Sequence, residues 1–207
     1  MINRTLAMVK PFALSLFAVA LFALAGGQAR ADEVTIAGST TGTVTGVPQL
    51  TFAGNSFNGT TALGVGSLSG VNRLGTFTLG VSNPAIPASG TFTLDITFTA
   101  PAGINGGQFA NYTATVVGSI STVDDGGVAI TFNQPPGGTV FTFSNASGTG
   151  SFTLMIADLF VQSGQTANLT AGFSGSQSTV PEPATMILLG TGLTGIAAAA
   201  RKRRNKK

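Results

Sequence analysis

Residues 91–99 read Thr-Phe-Thr-Leu-Asp-Ile-Thr-Phe-Thr, and this strict alternation constrains the fold more than any other stretch of the chain. Side chains along a β-strand point to opposite faces with a period of two. Phe92, Leu94, Ile96 and Phe98 therefore share one face, and Thr91, Thr93, Asp95, Thr97 and Thr99 the other. A helix would bring its apolar positions round every three or four residues, which this segment does not do. The pattern predicts a strand of an antiparallel sheet, buried on one side and wet on the other, bounded by Gly90 and Pro101.

The same texture recurs between Asp32 and Thr179. Val128–Phe132 and Thr139–Phe143 alternate on either side of Asn133-Gln134-Pro135-Pro136-Gly137-Gly138, which predicts a hairpin across a Pro/Gly turn. Phe109–Ile120 precedes the turn signal Asp124-Asp125-Gly126-Gly127. Ser151–Val161 is apolar at both parities and reads as a central strand covered on both faces, with helix as the competing assignment. Thr166–Phe173, Leu74–Leu79, Leu50–Ala53 and a weaker region over Val34–Val47 complete the set. Some nine or ten strands at roughly 10-residue spacing, without a helical period, predict an all-β antiparallel sandwich. The regular Phe, Leu, Ile and Val positions argue against disorder, although glycine accounts for 29 of 207 residues. Ser174–Val180, Ser-Gly-Ser-Gln-Ser-Thr-Val, reads as a flexible linker that ends a body over residues 32–173.

Charge is distributed by segment. The chain carries a net +3, but nine of its ten Lys and Arg residues lie outside the body. Within Asp32–Thr179, Arg73 faces Asp32, Glu33, Asp95, Asp124, Asp125 and Asp158, a net charge of −5. No basic surface for nucleic acid exists there. Charged residues make up only 8% of the chain against about 25% in ordinary domains, so Thr, Ser, Asn and Gln must keep the surface wet.

The ends read as targeting segments. Arg4 and Lys10 precede the apolar stretch Phe12–Ala25, and Ala29-Arg30-Ala31 places small residues at the two positions a signal peptidase reads. Residues 1–31 are thus expected to be a signal peptide cleaved after Ala31, an uncleaved N-terminal anchor being the alternative that Arg30 leaves open. At the other end Pro181-Glu182-Pro183 is followed by the uncharged run Ala184–Ala200. Its 17 residues cover about 25 Å as a helix, the short end of a membrane span. Arg201, Lys202, Arg203, Arg204, Lys206 and Lys207 follow directly and would hold that end in the cytoplasm.

The order Pro181-Glu182-Pro183, span, basic tail over residues 181–207 resembles the PEP-CTERM sorting signal of exported bacterial proteins. The resemblance implies a Gram-negative host, passage through the inner membrane, and an exosortase that cuts near the Pro-Glu-Pro and discards the helix. It further implies release or attachment at the cell surface or in an exopolysaccharide matrix. The body itself is similar in texture to the Gly/Thr-rich β-sandwich regions that precede such signals.

The body offers little for chemistry. Ser-His-Asp and Cys-His nucleophilic arrangements need an imidazole, and the chain has no histidine and no cysteine. The usual zinc sites need the same residues. A Ser-Lys dyad lacks its lysine, and Asp95 on a threonine face has no matched second carboxylate for glycoside hydrolysis. Asp124 and Asp125 supply two carboxylates where Ca²⁺ takes about 6–8 oxygens, so Asp-Gly at that point reads as a turn. Arg73 and Asp158 would relieve one another as a buried pair, but the simpler expectation leaves both at strand ends in water. Asn58, Asn111, Asn145 and Asn168 head Asn-x-Ser/Thr triplets that a chain this rich in Asn and Thr contains by chance. No catalytic, metal or cofactor-binding residue is expected. The body is expected to be a non-enzymatic surface or matrix component, adhesive or structural in a biofilm. A lectin-like carbohydrate-binding module is the alternative, short of aromatic platforms because Tyr112 is the only tyrosine and the phenylalanines are assigned to the core.

Overall fold

Thirteen strands build the body, all of them paired antiparallel. The computed structural model describes residues 33–179, and beyond them only Gly190, Gly192, Leu193, Gly195, Ile196 and Arg201, which carry helical backbone. The expected signal peptide, with Ala29 and Ala31, lies outside the described residues, as do Pro181, Glu182, Pro183 and Lys202 to Lys207. No helix among the described residues is long and apolar enough to cross a membrane.

The first layer is a six-stranded sheet in the order β11-β8-β7-β6-β1-β3. Its members are β1 (Thr35–Thr45), β3 (Ser56–Thr60), β6 (Ile86–Ala100), β7 (Phe109–Ile120), β8 (Gly126–Phe132) and β11 (Leu159–Gln162). Opposite lie two smaller sheets, β4-β13-β10-β9 and β12-β5-β2. These use β2 (Leu50–Gly54), β4 (Val65–Leu68), β5 (Gly75–Leu79), β9 (Thr139–Asn145), β10 (Gly148–Ile156), β12 (Thr166–Leu169) and β13 (Ala171–Thr179). The two smaller sheets are halves of one interrupted layer. Leu68 pairs with Ala171 and Gly75 with Leu169, so residues 69–74, with their short 3-10 turn Gly70–Asn72, loop out opposite the single residue Thr170. A sandwich-like arrangement results, as the alternation predicts.

β6 behaves as its sequence dictates. Phe92, Leu94, Ile96 and Phe98 are buried, and Thr91, Thr97 and Thr99 are exposed. The strand is longer than its expected bounds, however, starting at Ile86 and running through Gly90, which pairs with Val116. Glycine serves close approach there rather than termination: a Cβ on Gly90 would lie 2.2 Å from the Thr45 carbonyl oxygen. Phe92 packs on Phe52 of β2 and Phe77 of β5, with ring centroids 4.9 and 4.8 Å away. Phe98 packs on Phe141 of β9 and Phe152 of β10, at 5.3 and 5.5 Å. One strand thus meets both halves of the opposite layer.

Two stretches switch layers, which raises the strand count above the expected nine or ten. Residues 50–60 divide at Asn55 into β2, paired with β5, and β3, paired with β1. Asn55 receives a hydrogen bond at its carbonyl from the Thr40 amide (3.0 Å) and gives its own amide to Thr40 Oγ1 (3.0 Å). Its Nδ2 donates to the Val71 and Arg73 carbonyls, both at 3.0 Å. The buried Thr40 hydroxyl donates onward to the Leu74 carbonyl. The amide, carbonyl and Nδ2 of Asn55 are thereby all bonded where the chain changes partner.

The second switch corrects two expectations. Ser151–Val161 is not one strand covered on both faces, because it turns at Ala157-Asp158 from β10 into β11. Phe152, Leu154 and Ile156 are buried while Met155 is 49% exposed, so only one face is covered. Asp158 accepts from the Phe132 amide at 2.8 Å, and Gln134 clasps Ile156 by both main-chain groups, at 2.6 and 3.1 Å. The Gln134 clasp also explains why β8 and β9 do not form the expected hairpin. Residues 133–138 carry the chain across to the other layer, where β9 takes β10 as its strand neighbour.

The stretch expected to be a linker is also strand. Ser174–Thr179 continues β13 and pairs residue by residue with Thr153–Gly148 of β10. A Ser/Gly-rich composition favours a linker, but the edge of β10 supplies backbone partners that composition does not reveal.

Tyr112 is buried on the core face of β7, and its hydroxyl makes no formed hydrogen bond. Burial pushes its pKa above the ordinary value, and the neighbouring Thr139 hydroxyl opposes this only in part.

Two outcomes follow from this packing. Phe98→Asp should unfold the body, since an unpaired buried carboxylate costs several kcal/mol against a total of about 5–15 kcal/mol. Thr97→Asp should change stability by no more than about 0.5 kcal/mol, because that side chain faces water. Equal melting temperatures for the two variants would refute the one-sided burial of β6. Tyr112→Phe should leave stability at neutral pH intact. In the wild type, the raised folded pKa makes the protonated phenol's stability complete below the unfolded value of about 10 and lost as pH climbs through the folded value. Urea midpoints from pH 8 to 12 should therefore fall more steeply for wild type than for Tyr112→Phe, and parallel curves would contradict the burial.

Candidate functional site

The outward face of the six-stranded sheet is a lattice of hydroxyls. Its cross-strand ranks read Thr45-Thr91-Thr115-Thr131, then Thr43-Thr93-Thr113, then Thr41-Asp95-Asn111, then Ser39-Thr97-Phe109. Alternation puts threonine there because the other parity is committed to the core, and β-branched side chains suit the pleated surface. Asp95 sits within this lattice and accepts from Asn111 Nδ2 at 2.7 Å. Phe109 lies one rank along, 57% exposed, and Phe160 on β11 is 59% exposed. Contrary to the expectation that the phenylalanines belong to the core, these two are exposed. Phe109 marks the end of a strand and Phe160 follows the layer switch, where the parity of the buried face resets.

The acid-rich turn is held by its own neighbours. Asp124 adopts a left-handed backbone (φ 62°) ahead of Gly126 (φ 73°). Its Oδ1 accepts from Gln165 Nε2 at 2.8 Å and its carbonyl from Gln162 Nε2 at 2.8 Å. Asp125 Oδ2 accepts from Ser121 Oγ at 2.8 Å. Both carboxylates thus tie the turn to adjacent segments. Among the described residues no three of His, Cys, Asp and Glu gather as a metal would require.

Arg73 and Asp158 each find other partners. Arg73 is half-buried and donates from Nε to Thr76 Oγ1 (2.9 Å) and from Nη1 to the Gly70 carbonyl (3.0 Å). Asp158 is exposed at the layer switch, on the Phe132 amide. Arg73 thereby braces the looped-out 69–74 segment. Three of the four Asn-x-Ser/Thr asparagines have side-chain bonds: Asn111 Nδ2 donates to Asp95 Oδ1, Asn145 Nδ2 to the Ala102 carbonyl, and Asn168 Oδ1 accepts from Thr76 Oγ1.

β13 ends at Thr179, so the folded sheet runs to within one residue of Pro181. Of the basic cluster only Arg201 is among the described residues, and it is exposed. No curated protein matches the chain, and no solved structure does either. Family comparison matches residues 179–204, covering Pro181, Glu182, Pro183 and Arg201 to Arg204 but stopping short of Lys206 and Lys207. Those C-terminal residues carry a PEP-CTERM protein-sorting motif.

Proposed function

We propose that the chain is an exosortase substrate whose β-sandwich body serves as a structural or adhesive component at the cell surface or in an exopolysaccharide matrix. The observation that carries the first half is the PEP-CTERM match over residues 179–204. In this reading signal peptidase removes residues 1–31, the run 184–200 holds the precursor in the inner membrane, and the basic cluster stays on the cytoplasmic side. Exosortase then cuts near Pro181–Pro183. The second half is supported by a body whose outward face is built of short hydroxyl side chains and whose carboxylates serve hydrogen bonds within the fold. Such a surface needs no enzyme chemistry. It is wet, weakly charged, and suited to a hydrated matrix.

Carbohydrate binding is the second reading, and the exposed Phe109 ring beside the Asp95–Asn111 pair favours it. An aromatic face against sugar C–H groups, with a carboxylate and an amide in reach of hydroxyls, is a chemically complete saccharide contact.

In a host with an exosortase, the mature protein should lack Arg201–Lys207 and most of Ala184–Ala200, as intact-mass spectrometry would show. Deleting Pro181-Glu182-Pro183 should leave the chain in the membrane fraction. An intact basic tail on the final surface form would refute the processing route. If the saccharide reading holds, the purified mature protein should bind a subset of a glycan array, and Phe109→Ala should weaken that binding by about tenfold, the worth of one stacking contact. Binding to none of the array would leave the structural role alone.

A further inference from the structure

β13 is two different half-strands joined end to end. Ala171–Phe173 lies between β10 and β4, with Ala171 and Phe173 buried in the core. From Ser174 onward the strand carries only Ser, Gly, Gln and Thr, and none of residues 174–178 is buried. Its pairing with β4 stops at Ser174, with one further bond from the Gly175 amide to the Gly64 carbonyl. Past that point Ser176–Thr179 has β10 as its one strand neighbour among the described residues. Gly175 sits tight on that neighbour, where a Cβ would come within 2.8 Å of the Ser151 carbonyl oxygen. This half is therefore held by backbone hydrogen bonds and by almost no buried side chain, the makeup of segments that open locally.

Opening it would leave the body intact. β10 keeps β9 on its other edge, paired from Gly148–Asn145 through Leu154–Thr139. Phe173 remains in the core and anchors what is left of β13.

Geometry makes opening useful. Between Thr179 and the start of the apolar run at Ala184 lie only residues 180–183, which extend to about 14 Å at most. The headgroup zone takes up about 5–8 Å of that. A membrane-embedded enzyme working near Pro181 would find the folded body directly above the bond it must cut. Releasing Ser174–Thr179 lengthens the stretch between the body and the apolar run to ten residues, a reach of about 35 Å at most, and frees backbone groups that an enzyme needs to hold an extended peptide.

We propose that Ser174–Thr179 is a releasable half-strand: it peels from β10 to present the sorting signal to the processing enzyme. After the cut it zips back, which leaves the new C-terminus fixed in the sheet. The proposal rests on the exosortase reading above and adds the segment of the body that takes part.

The chain has no cysteine, so a staple can be placed without competition. Thr149 and Ser178 are exposed cross-strand partners, at a separation antiparallel pairs share with disulfides. In the full-length precursor, expressed in an exosortase-bearing host, Thr149→Cys/Ser178→Cys should cut the processed fraction by about tenfold, because local opening is blocked. Reductant should restore processing, as should ten Gly/Ser residues inserted between Thr179 and Val180 of the stapled chain. Met155→Cys/Gly172→Cys staples the anchored half instead, at a glycine with open space for a side chain, and should process normally. Normal processing of the oxidised Thr149–Ser178 staple overturns the proposal. So does a block by the Met155–Gly172 staple, or failure of the inserted residues to rescue. An untrimmed wild-type chain in the same cells would instead overturn the exosortase reading, and this proposal with it.

Discussion

The body depends on the two phenylalanines of β6 that stand six residues apart on one face. Phe92 receives Phe52 and Phe77, and Phe98 receives Phe141 and Phe152. The rings meet mostly edge-on or tilted, the arrangement their quadrupoles favour. Only Phe141 and Phe152, which pair across neighbouring strands, lie stacked, at an interplanar angle of 17°. Because the opposite layer is interrupted at residues 69–74, its halves have no unbroken ladder of their own across that point. A single rigid strand spanning both gives them a common surface to register against.

Such a layer also has to turn its corners. Asn55 and Asp158 stand where a strand leaves one sheet for the other, and each is a short polar side chain that bonds backbone locally. Asn55 supports the 70–74 loop from below, with Thr40 buried behind it. Asp158 is seconded by Gln134, which closes both main-chain groups of Ile156. These residues are worth more than their size suggests. A corner without them would bury unpaired carbonyls and amides, each costing about 1–3 kcal/mol.

Charge is scarce throughout the body, and its surface compensates with threonine. Its methyl covers the pleat while its hydroxyl stays in water, so one residue type serves strand propensity and solubility together. The same economy shapes the end of the body. Ser and Gly in β13 allow close pairing with β10, yet contribute so little burial that the pairing can be undone. A composition that suggests a linker and a structure that forms a strand are thus compatible: the segment is weakly held by design of its side chains.

What the sequence alone determined was local and periodic. The faces of β6, the antiparallel all-β class and the turn at Asp124–Asp125 were legible because a strand's two faces and a left-handed turn leave their mark on adjacent residues. The sorting motif was legible for a related reason: a triplet, an apolar run and a basic cluster are read in order along the chain, and family comparison finds them there. The tertiary structure decided everything that depends on which strand finds which. Alternation in 128–132 and 139–143 is equally consistent with a hairpin or with partners in two sheets, and the second is realised by the β9–β10 ladder together with the Gln134 clasp on Ile156. The break at Ala157-Asp158, the exposure of Phe109 and Phe160, and the pairing of Ser174–Thr179 belong to the same class. Backbone hydrogen bonds between distant segments have no sequence signature, because every residue carries the same donor and acceptor, and the fold alone chooses among them.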